Sequence, residues 1–173
     1  MTARLIGLLR ERGQSVATAE SLTGGMVCAE LTSVAGASAV VKGGLVVYAT
    51  ELKAGLAGVD PELLAEHGAV YPDVAAQLAV GARRRCHATW GLGLTGVAGP
   101  AAQDGVPPGT VYIGLAGPAG VSVTELSLTG SRDDVRAASV RAALDLLRDA
   151  LLAEPAVPEG ADLSPRHRSQ EAD

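Results

Sequence analysis

The fold of this chain is decided by the stretch Ser15-Val16-Ala17-Thr18-Ala19-Glu20-Ser21-Leu22-Thr23-Gly24-Gly25. Residues 15–19 alternate as a β-strand does, and the paired glycines precede a run with helical spacing. The start of that helix presents free N–H groups and the positive end of its dipole, which suit an oxyanion or a phosphate. Ser21 is therefore predicted where a strand becomes a helix, and Thr23, Gly24 and Gly25 are candidate binding residues. The alternative is an ordinary helix start, capped by Thr23 and followed by flexible glycines.

Helices alternate with mostly apolar strands along the rest of the chain. Helical patterns cover residues 2–12, 51–57, 61–66, 72–85 and 131–151, and strand patterns cover residues 43–48, 88–95, 110–116 and 121–128. The last two strands form a hairpin, so the predicted sheet is mixed. This order is typical of an α/β domain with helices on both faces of the sheet. Sites in such domains form at the carboxyl ends of parallel strands, where Ser21, Tyr48 and the Thr95-Gly96 turn all fall.

Residues 1–153 are predicted to form a single domain, because a chain of 173 residues is long enough to bury one core. Ser131 and Asp134 have the spacing of a capping box at the start of its last helix. The buried face of that helix is predicted to consist of Val140, Leu144, Leu147 and Leu151. Beyond it, prolines and polar residues replace the periodic pattern, so residues 154–173 are predicted to be a disordered tail.

Composition argues against several classes of partner. The formal net charge is −5 and the arginines are scattered apart from residues 83–85, so no nucleic-acid partner is expected. No apolar run reaches the roughly 18 residues that span a bilayer, so no membrane partner is expected. Cys28 and Cys86 lie far apart in a chain without a signal-peptide pattern, which indicates reduced thiols in a cytoplasmic protein. The three histidines show no metal-ligand spacing with them, and we predict no metal and no cofactor.

Lys53 is one of only two lysines, against twelve arginines. Because arginine keeps its proton near neutral pH, lysine is the one of these two residue types that can act as a general base. If burial disfavours the ammonium form of Lys53, its amine can accept the hydroxyl proton of Ser21. Tyr48 precedes Lys53 at the end of a predicted strand, where its hydroxyl can relay or orient that proton. The alternatives are a surface lysine paired with Glu51 or Asp60 and a tyrosine that only packs.

Residues 91–96 match the pattern G-x-G-x-x-G of dinucleotide-binding proteins. A Gly/Pro-rich loop follows instead of a helix, and the glycines fall within a predicted strand, so we reject a dinucleotide site. The turn from Thr95 and Gly96 to Gly99 nevertheless offers N–H groups and a hydroxyl that can hold a substrate. A tight loop without a ligand is the alternative.

Arg132 and Arg136 stand one helical turn apart at the start of the last predicted helix. Cations at this position oppose the helix dipole unless an acid or a ligand anion lies beside them. The two arginines therefore form either a phosphate clamp or ion pairs with Asp133 and Asp134.

Several motifs together resemble the CinA C-terminal domain family, the stand-alone nicotinamide-nucleotide amidases also called PncC. The resemblance runs from about Leu5 to Leu152. It rests on Thr18-Ala19-Glu20-Ser21-x-Thr23-Gly24-Gly25, Tyr48-x-x-Glu51-x-Lys53, His67-Gly68-Ala69-Val70, Thr95-Gly96-Val97-Ala98-Gly99-Pro100, Pro108-Gly109-Thr110-Val111 and Gly130-x-Arg132-x-x-Val135-Arg136. No single motif is specific, but the set is.

The resemblance implies a three-layer α/β/α sandwich with a mixed, mostly parallel sheet, and a homodimer. It implies a small-molecule nucleotide substrate, nicotinamide mononucleotide, whose carboxamide is hydrolysed to give nicotinate mononucleotide and ammonia. By resemblance Ser21 is the nucleophile, Lys53 its base and Tyr48 a helper, and Thr95, its glycine turn and the arginine pair contact the substrate. A Ser-Lys pair forms an acyl-enzyme, with N–H groups near residues 23–25 stabilising the oxyanion.

The chain also departs from the family pattern. Tyr71 replaces the usual serine after His-Gly-Ala-Val, and residues 101–105 replace a more Gly-rich loop. These two changes are expected to alter the shape of the pocket. Leu22 stands where the family often has Cys, and Thr50 stands where Asn is common. Two further functions therefore stay open: a nucleotide-binding regulator without catalysis, and an amidase for another small substrate.

Overall fold

The computed structural model describes residues 1–154 of the chain. One five-stranded sheet has the strand order β2-β1-β3-β4-β5. The strands are β1 (Val16–Glu20), β2 (Val41–Val46), β3 (Trp90–Gly96), β4 (Thr110–Gly117) and β5 (Gly120–Ser127). Strand β1 lies parallel to β2 and β3, whereas β4 pairs antiparallel with both β3 and β5. Every strand except β4 therefore runs in one direction, which confirms the mixed, mostly parallel sheet.

Helices cover both faces of the sheet. They are α1 (Thr2–Glu11), α2 (Met26–Thr32), α3 (Thr50–Gly55), α4 (Pro61–His67), α5 (Pro72–Arg85) and α6 (Arg132–Ala153), with a short 3-10 helix at Ala37–Ala39. One core lies between the sheet and α1, α2 and α6, and includes Leu5, Leu31 and Leu147. A second core lies on the opposite face, beneath α4 and α5, and includes Leu64 and Leu78. The predicted three-layer sandwich is confirmed.

Helix α6 begins and packs as its sequence pattern indicates. The Ser131 hydroxyl accepts from the Asp134 N–H, and the Asp134 carboxylate accepts from the Ser131 N–H, which completes a capping box. The predicted face is buried at all of its positions, Val140, Leu144, Leu147 and Leu151. The predicted disordered tail falls outside the described residues, apart from Glu154.

The glycines of the G-x-G-x-x-G pattern have a packing role. Helix α5 lies directly on β3 and β4, and a β-carbon at Gly91 or Gly114 would collide with the backbone carbonyls of Ala79 or Ala75. Gly93 meets the same helix at the Ala79 backbone nitrogen. These glycines sit within strands and allow a close helix–sheet contact, so the rejection of a dinucleotide turn at this position is supported.

Strand β2 begins and ends two residues earlier than predicted, at Val41 and Val46 instead of residues 43 and 48. Val47 still extends the ladder by one bond, because its N–H donates to the Glu20 carbonyl at 2.8 Å. Tyr48 therefore lies outside the sheet, in the segment that leads into α3.

In the described part of the chain, no helix is long and apolar enough to cross a membrane. Residues 1–154 also contain no group of three or more His, Cys, Asp or Glu side chains placed to hold a metal ion.

Candidate active site

A pocket of about 510 Å³ opens where β1 and β3 reach their carboxyl ends. Its walls come from the turn after β1, the segment that leads from β2 into α3, the loop after β3 and the first residue of α6. The predicted site residues that line it are Ser21, Tyr48, Lys53, Thr95, Gly96, Gly99 and Arg132. Parallel strands place these distant segments at one edge of the sheet.

Ser21 is held between the two strands that flank β1. Its N–H donates to the Leu94 carbonyl of β3 at 3.0 Å, and the carbonyl of the preceding Glu20 accepts from Val47 on the other side. The Ser21 side chain is 9% exposed and lines the pocket. Sheet hydrogen bonds thus fix the position of the predicted nucleophile on both sides.

Lys53 is 1% exposed, although it lies on the short helix α3. Its Nζ donates hydrogen bonds to the carbonyl oxygens of Val47 at 3.0 Å and Tyr48 at 3.2 Å. Burial lowers the pKa of Lys53 below its ordinary value, and the nearby carboxylate of Glu51 opposes this shift. Within residues 1–154 Lys53 forms no ion pair with Glu51 or Asp60. The surface-lysine alternative is therefore wrong.

The hydrogen bonds of Lys53 suit a neutral amine. A neutral amine has two N–H groups and one lone pair, and the two carbonyls accept from both N–H groups. The lone pair is then the free position for a proton. Ser21 and Lys53 share the pocket without a direct hydrogen bond between their side chains, and catalytic hydrogen bonds commonly shorten only when substrate is bound.

Arg132 connects two walls of the pocket. Its Nη1 donates to the Gly99 carbonyl at 2.9 Å and its Nη2 donates to the Tyr48 hydroxyl at 3.0 Å. Among the described residues no carboxylate pairs with Arg132. A cation with spare N–H groups therefore faces the pocket, beside a tyrosine that is 59% exposed.

The Thr95 hydroxyl donates its hydrogen bond to another group of the protein. The Thr95 side chain is 1% exposed, and its Oγ1 donates a 2.6 Å hydrogen bond to the Ala69 carbonyl. This bond joins β3 to the segment before α5. Toward a substrate, the Thr95 oxygen can therefore act only as an acceptor.

The other predicted residues of the Gly-rich turn do not line the pocket. The Gly24 N–H donates to the Ser21 carbonyl at 3.0 Å, and the Gly25 N–H donates to the Glu20 carboxylate at 3.0 Å. Thr23 does not cap α2, because its buried hydroxyl has no partner in the described part of the chain. The interpretation of Thr23 as the N-cap is therefore wrong, and the N–H groups of Gly24 and Gly25 are already engaged.

Glu20 is the residue that the sequence analysis missed. Its side chain is 0% exposed, and its carboxylate accepts from Gly25 and Val27 at Oε2 (3.0 Å each) and from Cys28 (2.8 Å) and the Thr18 hydroxyl (3.1 Å) at Oε1. The protein's own carboxylate thus fills the helix terminus that was expected to hold a ligand anion. The available signal was an acid immediately before a Gly-rich helix start.

Arg136 lies outside the pocket, against the turn that follows Ser21. Its Nε donates to the Leu22 carbonyl at 3.0 Å and its Nη2 donates to the Thr23 carbonyl at 3.2 Å. An exposed carboxylate, Asp133, lies 3.8 Å from its Nη1. The structure therefore separates the arginine pair, with Arg132 in the pocket and Arg136 against the turn after Ser21.

Of the two departures that were expected to alter the pocket shape, only the loop reaches the pocket. Tyr71 stacks on His67 with ring centroids 4.2 Å apart and an interplanar angle of 6°, away from the pocket lining. Residues 101–103 of the altered loop do line the pocket. Leu22 and Thr50 also line the pocket, so differences in pocket shape arise from these two positions and the loop, and not from Tyr71.

These features define an α/β domain in which a serine and a buried lysine share a pocket at the carboxyl edge of the sheet. The model of the CinA C-terminal domain matches residues 1–151, and the chain belongs to that family.

Relatives and solved structures agree with this assignment. The chain is 50% identical over 151 residues to a CinA-like protein of Frankia casuarinae, and 47% identical over 152 residues to one of Anaeromyxobacter sp. (strain Fw109-5). Each match covers 87% of this chain but only 35% and 37% of those proteins, so the chain spans about a third of their length.

The fold is similar to that of the competence/damage inducible protein CihA from Agrobacterium tumefaciens, with a TM-score of 0.83 and 38% identity over 87% of this chain and 93% of that one. A competence-damaged protein (CinA) superfamily protein from Klebsiella pneumoniae has a TM-score of 0.84 and 32% identity, covering 87% of this chain and 95% of that one.

Proposed function

We propose that the protein is a nicotinamide-nucleotide amidohydrolase, which converts nicotinamide mononucleotide to nicotinate mononucleotide and ammonia. The observation that carries this proposal is the buried amine of Lys53, which shares one pocket with Ser21 and Arg132. The resemblance of the motifs to stand-alone CinA-family amidases supports the same reaction.

The proposed chemistry proceeds through an acyl-enzyme. Ser21 Oγ attacks the carboxamide carbon while Lys53 Nζ takes its proton. The tetrahedral intermediate collapses with cleavage of the C–N bond, and the proton on Lys53 passes to the departing nitrogen as ammonia leaves. Water then attacks the Ser21 ester and gives a proton to Lys53, which returns it to Ser21 Oγ as the carboxylic acid departs. Lys53 is neutral again at the end of each turnover, and no cofactor is needed.

The surroundings of Lys53 support its role as the base. Burial disfavours its ammonium form, so a larger fraction of the amine is ready to accept a proton near neutral pH. Bonds to the Val47 and Tyr48 carbonyls hold the nitrogen in one place, which reduces the entropy lost when it meets Ser21.

Arg132 is proposed to bind the substrate phosphate. Its guanidinium faces the pocket, and the Gly99 carbonyl and the Tyr48 hydroxyl leave some of its five N–H groups free. A planar guanidinium is well matched to phosphate oxygens. Tyr48 is proposed to hold this guanidinium in position through its hydroxyl.

The direct test measures ammonia released by the purified protein from nicotinamide mononucleotide. We expect release in the wild type and none above background in Ser21→Ala, with Ser33→Ala, at the exposed C-cap of α2, as the matched control. Binding of the nucleotide without any ammonia would contradict the amidase and favour a regulator. Equal turnover of simple amides that lack a ribose phosphate would favour an amidase for another substrate.

Lysine chemistry is tested separately by Lys53→Arg. This variant keeps the positive charge but cannot accept a proton near neutral pH, so we expect it to be inactive. Lys42→Arg, at the exposed second lysine, is the matched control and should retain activity. Substantial activity in Lys53→Arg would show that another group accepts the proton.

We also propose that the protein is a homodimer. Exposed apolar side chains lie on the edge strand β2, on α3 and at the C-cap of α3, with Val46 48%, Leu52 39% and Leu56 45% exposed. Sedimentation of the wild type and of Leu52→Glu tests this proposal. A wild-type monomer at all concentrations would contradict it.

A further inference from the structure

The turn after Ser21 contains two peptide N–H groups that have no partner within residues 1–154. In the described part of the chain, neither the Leu22 N–H nor the Thr23 N–H donates a hydrogen bond, whereas the next two N–H groups, of Gly24 and Gly25, do. The fully buried Thr23 hydroxyl also lacks a partner. Buried donors are almost always paired in native proteins, so this group of free donors indicates a place for an acceptor.

The orientation of both free N–H groups is set by the carbonyls of the same peptide units. In a trans peptide the C=O and the N–H point in opposite directions. The Ser21 carbonyl accepts from the Gly24 N–H at 3.0 Å, which fixes the peptide that carries the Leu22 N–H. The Leu22 carbonyl accepts from Arg136 Nε at 3.0 Å, which fixes the peptide that carries the Thr23 N–H. Arg136 therefore directs the Thr23 N–H away from itself.

Arg136 is well placed to hold this turn rigidly. Its guanidinium contacts two successive carbonyls, because Nη2 also donates to Thr23 at 3.2 Å. It projects from α6 next to Val135, which is 1% exposed and belongs to the core shared with α1 and α2. A planar guanidinium on a packed helix fixes two peptide planes more firmly than a flexible group could.

The following N–H groups, at the start of α2, are not available to an anion. Glu20 accepts from the N–H groups of Gly25, Val27 and Cys28, so its carboxylate occupies the positive end of α2. Of the N–H groups between Ser21 and Cys28, those of Leu22 and Thr23 therefore remain for a negative oxygen that develops next to Ser21.

We infer that the N–H of Leu22, which lines the pocket, is the oxyanion donor of this domain, and that Arg136 is a positioning residue that holds its turn. This inference rests on the proposed amidase function. It assigns different roles to two arginines that look equivalent in the sequence: Arg132 binds the phosphate, and Arg136 acts on the transition state through the backbone.

The test compares Arg136→Met with Arg132→Met on two substrates, nicotinamide mononucleotide and nicotinamide riboside, which lacks the phosphate. Loss of an oriented oxyanion donor lowers kcat by about 100-fold. Arg136→Met should therefore lower kcat by about that factor on both substrates, and its KM should stay within about 3-fold of the wild-type value. Arg132→Met should raise KM for the mononucleotide alone. If Arg136→Met instead raised KM for the mononucleotide and not for the riboside, Arg136 would be a phosphate ligand, and the inference would be overturned.

Two more variants distinguish the effect of the planar guanidinium geometry of Arg136 from the effect of its charge. Arg136→Lys keeps the charge, but its ammonium lacks the rigid fork that spans both carbonyls, so kcat should stay low. Arg141→Met, at an exposed position further along α6, is the matched control and should behave as wild type. Full recovery of kcat in Arg136→Lys would overturn the positioning role. Arg136→Lys also serves for all measurements if Arg136→Met does not fold.

A measurement that does not depend on turnover distinguishes failure of the proposed function from failure of this inference. If the wild type releases no ammonia from either substrate, the amidase proposal fails, and amide NMR spectra of ¹⁵N-labelled protein decide the structural claim. The Thr23 amide signal should move in the Arg136 variant and not in Arg141→Met. An unmoved Thr23 signal would contradict the orienting role of Arg136.

Discussion

The backbone N–H of Cys28 donates a 2.8 Å hydrogen bond to the carboxylate of Glu20, the last residue of β1. Together with the bonds from Gly25 and Val27, it attaches the start of α2 to the strand that carries the predicted nucleophile. Strand, turn and helix are therefore joined by hydrogen bonds around Ser21. A rigid support of this kind is what a catalytic group requires.

Replacing Glu20 by Gln should destabilise the fold. The amide NH₂ would face N–H or hydroxyl donors at one of the two carboxylate oxygen positions, leaving buried groups unpaired. We expect a loss of about 2–3 kcal/mol in the free energy of unfolding, measured by urea denaturation. Glu30→Gln on the exposed side of α2 is the matched control and should change the midpoint little. An equal stability of wild type and Glu20→Gln would contradict the capping role.

Gly44 of β2 should not tolerate a side chain. A β-carbon at this position would lie 2.5 Å from Thr18 Oγ1 and 3.0 Å from Cys28 Sγ, within the group of residues around Glu20. We expect Gly44→Ala to lose about 1–3 kcal/mol, read from the urea midpoint. Gly7→Ala in α1, where nothing lies within 4 Å of a new β-carbon, should be neutral or stabilising. A neutral Gly44→Ala would show that this packing is loose.

The pH dependence of activity should follow Lys53. Burial lowers its pKa, and only the neutral amine can accept the serine proton, so kcat/KM should fall as the pH drops through that lowered value. The rising limb should therefore begin below the pH at which an ordinary lysine loses its proton. An ascending limb at an ordinary lysine pKa would contradict a buried base.

The lowered pKa of Lys53 also predicts that the free energy of unfolding depends on pH. Between the lowered pKa and the ordinary value of about 10.4, the unfolded chain binds a proton at Lys53 that the folded chain does not. The free energy of unfolding should therefore rise with pH in that window. Lys53→Met should lose this slope, and denaturation at several pH values measures it.

Removal of the Tyr48 hydroxyl should weaken phosphate binding. Tyr48→Phe takes away the acceptor that Arg132 Nη2 contacts at 3.0 Å, so the guanidinium is less well held. A lost hydrogen bond of about 1 kcal/mol corresponds to an increase of about 5-fold in KM for nicotinamide mononucleotide. Tyr112→Phe on β4 is the control. A large fall in kcat instead would mean that Tyr48 takes part in proton transfer.

Several properties could be predicted because they depend on neighbours in the sequence. The capping box of Ser131 and Asp134 and the buried face of α6 follow from spacing within one helix. The hairpin between β4 and β5 follows from its short turn. The glycines of residues 91–96 could be distinguished from those of a phosphate-binding turn because a loop, and not a helix, follows them.

Other features depend on contacts between distant segments, and local patterns do not contain them. The sequence does not show whether Lys53 is exposed, because its burial depends on the Val47 and Tyr48 carbonyls and on the neighbouring segments that enclose it. Glu20 and Arg136 both act on the turn after Ser21, one from the preceding strand and the other from a helix more than a hundred residues later. Nothing in the spacing of Arg132 and Arg136 distinguishes the arginine in the pocket from the one against the turn.

The sequence by itself determined the order of helices and strands, the layered α/β architecture and the placement of Ser21 at a strand–helix junction, because hydrophobic period and turn chemistry are local. Only the tertiary structure decided which polar groups are desolvated and which donors are free. Desolvation and hydrogen-bond pairing depend on what surrounds a group in space, and here those surroundings come from four separate parts of the chain.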